Sequence, residues 1–267
     1  NYWLGDHYDR LQRFTMEALR SDTRAVIDWI AAVLIDGIAM VEELSDSDRA
    51  LTELASLAGK VRAAYCGEYF DVYARLNPNA VASTAAALEM HTDIPSEELA
   101  PGVQFLHCRA NTVEGGETLF VDGGRVANDL RSSNPGDFRT LSELTVPFRV
   151  HHDGHDMRAR QRVIELDSDG AVSGVTMSQH MADVFDLPQA VLDGYYPAFR
   201  RFGNMLRDSK YVMRLRFTPG VCLVFDNHRI VHGRDAYAAQ SGRRHLRGCY
   251  VDRGEMRSTY RAMMTAT

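Results

Sequence analysis

The feature that most constrains the fold is a series of short runs rich in β-branched and aromatic residues, which recurs from about residue 80 onward. The runs are GVQFLHCRA, ETLFVDG, VPFRVHH, QRVIELDSDG, YVMRLRF, GVCLVFDN and HLRGCYVD. Turn-forming Gly, Asn, Asp and Ser residues separate them. Many short strands divided by turns are typical of a sandwich or a barrel. The pattern therefore predicts a mainly β protein with flanking helices.

Two helical patterns precede this strand-rich part. Asp22 is placed to cap the first helix, and Gly37 to close it in a left-handed conformation. A second capped helix is predicted to begin near Ser45 and to end at Gly59. The segment between them, residues 38–44, has the composition of a strand. The first sixty residues are thus predicted to form helices around one strand.

Two further helices are predicted later in the chain. A longer helix over residues 188–209 interrupts the strand series, and another near 255–264 ends it. The sequence shows no internal repeat, no low-complexity segment and no linker rich in Pro, Gly or Ser. We therefore predict a single domain over residues 1–267, with its helical part at about 1–60.

Composition narrows the class of partner. The formal net charge of −6 argues against nucleic acid, whose phosphates bind basic surfaces. The longest apolar run is interrupted by Asp28 and Asp36, so no segment is predicted to span a membrane, and no signal peptide is recognised. We expect a cytoplasmic protein.

The four cysteines have no C-x-x-C spacing, which favours buried free thiols over disulfides or a zinc site.

The spacing His-x-Asp occurs three times in the chain. At residues 7–9 it opens a helical stretch, and at 151–153 it lies in a polar turn, so solvent-exposed side chains explain both. Only His91 and Asp93 are followed by a bounded β run and are matched by a second histidine, His232, beyond a later strand. We therefore single out these three residues as metal ligands and catalytic residues.

Two histidines and one carboxylate form the facial ligand set of non-haem Fe(II) oxygenases, which leaves positions open for substrate and O2. The same groups also bind Zn(II) with an open position. The simplest alternative is that His91 and His232 are hydrogen-bonded polar residues at strand ends.

A nearby arginine supports the iron interpretation. An Fe(II) oxygenase that uses a 2-oxo acid must bind the far carboxylate of that acid, and an arginine does so with two parallel hydrogen bonds. Arg244 lies twelve residues after His232 at the start of a strand. Strand alternation would direct Arg243 to the opposite face. The hydroxyl of Thr118 is a further candidate for the same carboxylate.

Four motifs in order carry a resemblance to a known family. They lie at residues 91–93, 101–123, 225–237 and 243–253. Together they resemble the γ-butyrobetaine hydroxylase and trimethyllysine hydroxylase branch of the taurine-dioxygenase-like Fe(II)/2-oxoglutarate oxygenases. The resemblance extends over about residues 60–260.

The resemblance implies a double-stranded β-helix, the jelly-roll or cupin-like fold. It implies Fe(II), the cosubstrate 2-oxoglutarate and O2 as cofactors, with ascorbate as an aid in vitro. By resemblance, His91, Asp93 and His232 are the iron ligands, while Thr118 and Arg244 bind 2-oxoglutarate. Larger members carry a small N-terminal zinc-binding domain, and the resemblance implies that this sequence starts at the catalytic domain.

Enzymes of this branch enclose a trimethylammonium group in aromatic rings, because that group cannot donate hydrogen bonds. Tyr250 matches one tyrosine of this cage. Tyr65 and Tyr69 match the spacing of two further cage residues, although a shift of one residue selects Phe70 instead.

The sequence also departs from the family pattern. Ser83 stands near the place of a third cage tyrosine, and residues 176–188 replace the asparagine-rich segment that helps to bind the carboxylate of γ-butyrobetaine. The anionic end of the substrate is therefore expected to differ, and a phosphonate such as 2-(trimethylamino)ethylphosphonate suits additional donors. The candidates for binding it are Asn79, Ser178, His180 and one of Arg214 or Arg216.

Three other functions remain open at this point. A taurine- or sulfonate-type oxygenase would need an amine pocket, and a zinc hydrolase would have no use for Arg244. A non-catalytic cupin-like sensor would need neither the metal ligands nor Arg244. The sequence predicts a small-molecule substrate. It leaves open the hydroxylated carbon, the stereochemistry and whether the protein is a homodimer.

Overall fold

The computed structural model describes residues 1–73, 84–152 and 154–266. The strands are β1 (Arg13–Thr15), β2 (Ile38–Glu42), β3 (Val61–Arg62), β4 (Tyr69–Tyr73), β5 (Leu88–His91), β6 (Val103–Asn111), β7 (Glu114–Gly115), β8 (Thr118–Asp122), β9 (Thr145–His152), β10 (His155–Arg162), β11 (Ile164–Leu166), β12 (Val172–Val175), β13 (Met213–Leu215), β14 (Cys222–Asp226), β15 (Ile230–Arg234), β16 (Tyr237–Ala238) and β17 (Arg244–Val251). The helices are α1 (Met16–Ser21), α2 (Thr23–Asp36), α3 (Asp48–Ser56), α4 (Gly123–Ser133), α5 (Pro135–Glu143), α6 (Gln189–Arg207) and α7 (Arg253–Ala266), with a 3₁₀ helix at Gly5–Arg10.

Two sheets form the body of the protein. The major sheet has the strand order β1-β2-β14-β6-β17-β3, with β4 also paired to β17, and the minor sheet has the order β13-β8-β15-β5. Apolar side chains from both sheets meet between them, including Phe120 and Phe225, whose ring centroids lie 5.3 Å apart. This is the predicted double-stranded β-helix.

Strand alternation divides the apolar residues among three cores. In β6, Leu106 points between the sheets, whereas Phe105 points outward and packs against Trp29 of α2. On the minor sheet, Val121 and Val231 point outward to the helical layer of α4, α5 and α6. Complete burial of each such side chain stabilises the fold by roughly 1.5–3 kcal/mol. Because the helices pack on the outer faces of the two sheets, they do not cover the end of the space between the sheets. A site can form at that end.

The first predicted helix is confirmed, and the second begins later than expected. Asp22 accepts a hydrogen bond at the start of α2, and Gly37 has a φ of 79° at its end. The cap of α3 is Ser47 rather than Ser45. The backbone N–H of Leu44 donates to the carbonyl oxygen of Gly220, in the loop before β14, at 2.9 Å, which ties this segment to the sheet before the helix begins.

Helices α4 and α5 were not predicted, nor were strands β1, β3, β4, β5, β7, β10, β12, β15 and β16. Helix α4 opens with Gly123 and Gly124, both poor helix formers. A Cβ atom on Gly123 would lie 2.8 Å from the carbonyl oxygen of Arg229, so only glycine permits this approach. Tertiary packing therefore selects the helix against its local preference.

The structure also shows the state of the four cysteines and the character of the helices. Cys108, Cys222 and Cys249 are buried free thiols, as expected, whereas Cys66 is exposed. Within the described ranges, no helix has both the length and the apolar character needed to cross a membrane.

Candidate metal centre

The three proposed ligands converge at the open end of the two sheets. His91 is the last residue of β5 and is paired in register with His232 in β15. Asp93 follows β5 after one intervening residue, Thr92. Its Oδ1 lies 3.3 Å from Nε2 of His91 and 3.7 Å from Nε2 of His232. One ligand atom from each residue lies within 4.8 Å of the other two, which is a spacing that one metal ion can bridge.

The ring of His91 is oriented for this role. Nδ1 of His91 lies 2.8 Å from the carbonyl oxygen of Glu89, so Nε2 is directed to the centre. A metal-binding histidine commonly uses its second ring nitrogen in this way. Burial lowers the pKa of His232 to about 3, with a further contribution from His91. His232 is therefore neutral near pH 7, as a metal ligand must be.

The carboxylate is held in its ionised form. Burial by itself raises the pKa of the Asp93 carboxyl. The imidazoles of His232 and His91 and the hydroxyl of Tyr250 outweigh burial and hold the pKa well below its usual range. Burial raises the pKa of Tyr250 well above its ordinary value, so its hydroxyl remains a hydrogen-bond donor.

The turn that presents Asp93 is fixed by tertiary contacts. Asn227 accepts a hydrogen bond from the backbone N–H of Asp93 at 2.7 Å and donates to its carbonyl oxygen at 3.0 Å. The next residue, Ile94, has a φ of 52°. This backbone region is unusual for a β-branched residue and costs roughly 1–3 kcal/mol. The strained turn therefore depends on Asn227.

We expect Asn227→Ala to lower the free energy of unfolding by about 1–3 kcal/mol, because it leaves buried backbone groups of Asp93 without partners. Urea denaturation measures this loss. Mn(II) affinity should fall as well, since the turn would relax. Asn128→Ala is the matched control, because Asn128 donates one helical hydrogen bond at 2.8 Å to Gly124. Equal losses in the two variants would contradict the role of Asn227.

A cavity of about 80 Å³ opens beside the three ligands. Its apolar walls are Phe70, Val72, Leu88, Leu106 and Leu246. Its polar lining consists of His91, Asp93, Gln104, Thr118, His232, Arg234 and Arg244.

Thr118 and Arg244 meet at this cavity although they are 126 positions apart in the sequence. They begin β8 and β17, respectively. The hydroxyl of Thr118 and the Nε and Nη1 atoms of Arg244 are buried without a hydrogen-bond partner among the described residues. Burial lowers the pKa of Arg244 to about 10, so it remains charged near pH 7. Unpartnered donor atoms on a buried cation are costly, which indicates an anionic ligand here.

Sequence reasoning missed two polar residues of the cavity. Arg234, in β15, is buried beside Arg244, and the ring of Tyr237 lies 4.7 Å and 5.6 Å from the two guanidinium carbons. Gln104 is 2% exposed, and its Oε1 has no partner among the described residues. The signal for Gln104 was a polar residue inside an otherwise apolar strand.

Strand alternation separates the two aromatic candidates of β4. Phe70 lines the cavity, whereas Tyr69 lies on the opposite face and accepts a hydrogen bond from Thr52 of α3 at 2.8 Å. The structure therefore brings Phe70, rather than Tyr69, to the site.

Tyr250 and Tyr65 occupy different surroundings. Tyr250 is 3% exposed, stacks on Phe70 with 5.3 Å between ring centroids, and donates to Asp93. Tyr65 is half-buried and makes an edge contact with His155 at 6.1 Å. Tyr250 thus lies behind Phe70.

The residues proposed to bind the anionic end of the substrate differ in how close they lie to the metal centre. The ring of His180 lies 5.2 Å from that of His91, and Oγ of Ser178 lies 3.5 Å from Nδ1 of His180. Arg214 forms an ion pair with Asp235, and Arg216 donates to the carbonyl oxygen of Gly115 at 2.9 Å, so both are engaged outside the cavity lining. Asn79 and Ser83 lie outside the described residues.

The described residues of the other two His-x-Asp motifs are not part of this ligand cluster. His7 is buried and stacks on Trp3 at 4.8 Å, which differs from the expected solvent exposure, and Asp9 is exposed. His151 is exposed in β9, and Asp153 lies outside the described residues.

Comparison with known proteins identifies the family to which the sequence is similar. Residues 6–250 match the family described as "Taurine catabolism dioxygenase TauD, TfdA family". The chain is 37% identical to a γ-butyrobetaine dioxygenase from Pseudomonas sp. (strain AK-1), over 90% of this chain and 63% of the relative. It is 32% identical to the γ-butyrobetaine dioxygenase of Homo sapiens, over 88% of this chain and 62% of that relative. The chain thus spans under two thirds of the length of these relatives.

One solved structure shows the likeness of fold. The crystal structure of AAD-2 in complex with Mn(II) and N-oxalylglycine matches with a TM-score of 0.70, over 87% of this chain and 91% of that chain. The sequence identity is 14%, so the likeness concerns the fold alone.

Proposed function

The chain belongs to the taurine catabolism dioxygenase TauD, TfdA family, and from this premise we propose that it is an Fe(II)- and 2-oxoglutarate-dependent dioxygenase that hydroxylates a small zwitterionic trimethylammonium compound. The observation that carries the proposal is the convergence of His91, Asp93 and His232 beside the unpartnered polar atoms of Thr118 and Arg244. A metal site and an anion site then share one cavity.

The metal centre fits Fe(II) by its donor set. Two imidazoles and one carboxylate suit Fe(II) and leave positions open, whereas a closed structural site would not. Among the residues that the structure describes, the thiols of Cys108, Cys222 and Cys249 lie in the apolar cores, and Cys66 does not belong to the ligand cluster. His91, Asp93 and His232 would hold the ion.

The anion site fits the far carboxylate of 2-oxoglutarate. The guanidinium of Arg244, whose Nε and Nη1 lack partners among the described residues, can donate to it, and the hydroxyl of Thr118 can add a further hydrogen bond. Bound Fe(II) and 2-oxoglutarate supply the oxidising chemistry, consuming O2 and releasing succinate and CO2 while a substrate C–H becomes C–OH. The chain contributes positioning and an apolar enclosure that limits water at the reacting centre.

The relatives' names support the substrate class. Both relatives are γ-butyrobetaine dioxygenases, and the ring of Phe70 offers a face for a quaternary ammonium group. Tyr65 is a candidate for a second ring at the mouth. We retain Ser178 and His180 as candidates for the anionic end, where a carboxylate or a phosphonate would bind. Tyr69 is the weakest candidate, since it faces α3.

A substrate panel tests this function. The protein, supplied with Fe(II), 2-oxoglutarate and ascorbate under air, is expected to release succinate faster with γ-butyrobetaine or 2-(trimethylamino)ethylphosphonate than without a substrate. Stimulation by taurine alone would assign a sulfonate oxygenase and overturn the trimethylammonium proposal. Anaerobic addition of 2-oxoglutarate to the Fe(II) protein should give a weak visible charge-transfer band. A zinc hydrolase would show neither signal.

The organisation of the protein forms a further part of the proposal. We propose that residues 1–267 act as a single catalytic domain, which is supported by helices at both ends of the chain packing on the major sheet. We also propose a cytoplasmic location, for which the support is the composition. The homodimer remains open, and size-exclusion chromatography with light scattering would decide it.

A further inference from the structure

The two oxygens of the Asp93 carboxylate have different surroundings. Oδ1 is the oxygen nearest to the histidines, at 3.3 Å from His91 and 3.7 Å from His232. Oδ2 accepts a hydrogen bond of 2.7 Å from the hydroxyl of Tyr250. The phenol therefore occupies one oxygen and leaves the other directed to the centre.

Packing fixes the position of the Tyr250 hydroxyl. The ring of Tyr250 stacks on Phe70 with an interplanar angle of 27°. The tip of the Phe70 ring in turn lies against Gly248, where an added Cβ atom would come 2.2 Å from Cζ of Phe70. The glycine thus admits Phe70, and Phe70 covers Tyr250. The phenol has little freedom to turn away from Asp93, because Tyr250 is also 3% exposed in the sheet interior.

A carboxylate can hold a metal ion through one oxygen or through both. A hydrogen bond to Oδ2 favours binding through Oδ1 alone, which keeps an additional coordination position open. The backbone contacts of Asn227 fix where Asp93 stands, but they leave the rotation of its carboxylate free. Tyr250 is the described side chain that restricts this rotation from outside the ligand set.

We infer that Tyr250 is a positioning residue for the metal centre, holding Asp93 through Oδ2 so that Oδ1 alone faces the ion. This inference rests on the proposed function. It differs from the cage role expected for Tyr250, because the ring contacts Phe70 and the hydroxyl contacts a ligand. Phe70 then forms the surface that the substrate meets, and Tyr250 supports both Phe70 and Asp93.

The substitution Tyr250→Phe tests the inference, since it keeps the ring and removes only the hydroxyl. We expect the dissociation constant for Mn(II), measured by titration of the metal-free protein, to rise by about 10- to 100-fold. At saturating Fe(II), kcat should fall, whereas KM for the trimethylammonium substrate should change by less than about 3-fold, because Phe70 and the ring remain.

Tyr211→Phe is the matched control. Tyr211 is 5% exposed, and its hydroxyl donates to Oδ2 of Asp129 at 2.8 Å, so this variant loses the same kind of hydrogen bond away from the site. We expect similar losses of thermal stability in both variants, with Mn(II) affinity reduced only in Tyr250→Phe. Unchanged Mn(II) affinity in Tyr250→Phe would overturn the inference, as would equal reductions in the two variants.

A different measurement distinguishes failure of the proposed function from failure of this inference. If the unsubstituted protein and Asp93→Ala bound Mn(II) equally weakly, the three ligands would not form a metal centre. That result would contradict the proposed function, whereas the Tyr250→Phe result tests only the positioning role of Tyr250.

Discussion

Asp93→Ala is expected to reduce substrate-dependent succinate release to the level measured without protein, and His91→Ala should do the same. Each substitution removes one of three ligands, and two imidazoles or an imidazole and a carboxylate bind a divalent ion too weakly to retain it. The loss should appear directly as an absence of Mn(II) binding in calorimetry. Succinate release coupled to the substrate panel provides the second readout.

The chain offers its own control for this experiment. Asp9 stands two positions after His7 in the same His-x-Asp spacing, and it is exposed away from the centre. Asp9→Ala should therefore bind Mn(II) and turn over substrate like the unsubstituted protein. Unchanged turnover in Asp93→Ala would contradict the assignment of the ligands, whatever the result for Asp9→Ala.

Arg244→Met is expected to weaken 2-oxoglutarate binding without weakening the fold. Truncating one partner of a buried, hydrogen-bonded charge pair costs roughly 2–5 kcal/mol, which corresponds to about 30-fold to several thousand-fold in affinity. KM for 2-oxoglutarate should rise by at least the lower value. In the metal-free and ligand-free protein, Arg244 is a buried cation whose Nε and Nη1 lack partners among the described residues, so methionine removes an unfavourable group.

The free energy of unfolding of the ligand-free protein should therefore stay constant or rise, by about 1–4 kcal/mol at most. Urea denaturation with and without 2-oxoglutarate measures both effects. Arg243→Met is the matched control, because Arg243 is the exposed residue immediately before the strand. A fall in stability together with an unchanged KM for 2-oxoglutarate would show that Arg244 serves the fold rather than the ligand.

Much of the metal site could be predicted because its signals are local. His91 and Asp93 are close in sequence, and His232 follows soon after the predicted strand at residues 220–227, although β15, the strand that carries His232, was not predicted. Arg244 could be proposed because strand alternation distinguishes it from Arg243. The fold class followed in the same way, since short β runs between turns admit few architectures.

The aromatic residues show where such reasoning ends. Tyr69 and Phe70 are adjacent, and a shift of one residue reverses which of them faces the cavity. The pairing of β4 with β17 decides for Phe70, because it places Phe70 opposite Gly248. Neither strand contains information about that register when it is considered alone.

The sequence by itself determined the strand-rich class, the ligand types of the metal centre and the chemistry of the anion site, because periodicity and side-chain chemistry are local properties. Only the tertiary structure decided that Asn227 anchors the turn at Asp93, that Arg234 lies beside Arg244 and that the hydroxyl of Tyr250 reaches Asp93. These contacts join residues that are distant in the chain. They arise from how two sheets pack face to face, which no single segment encodes.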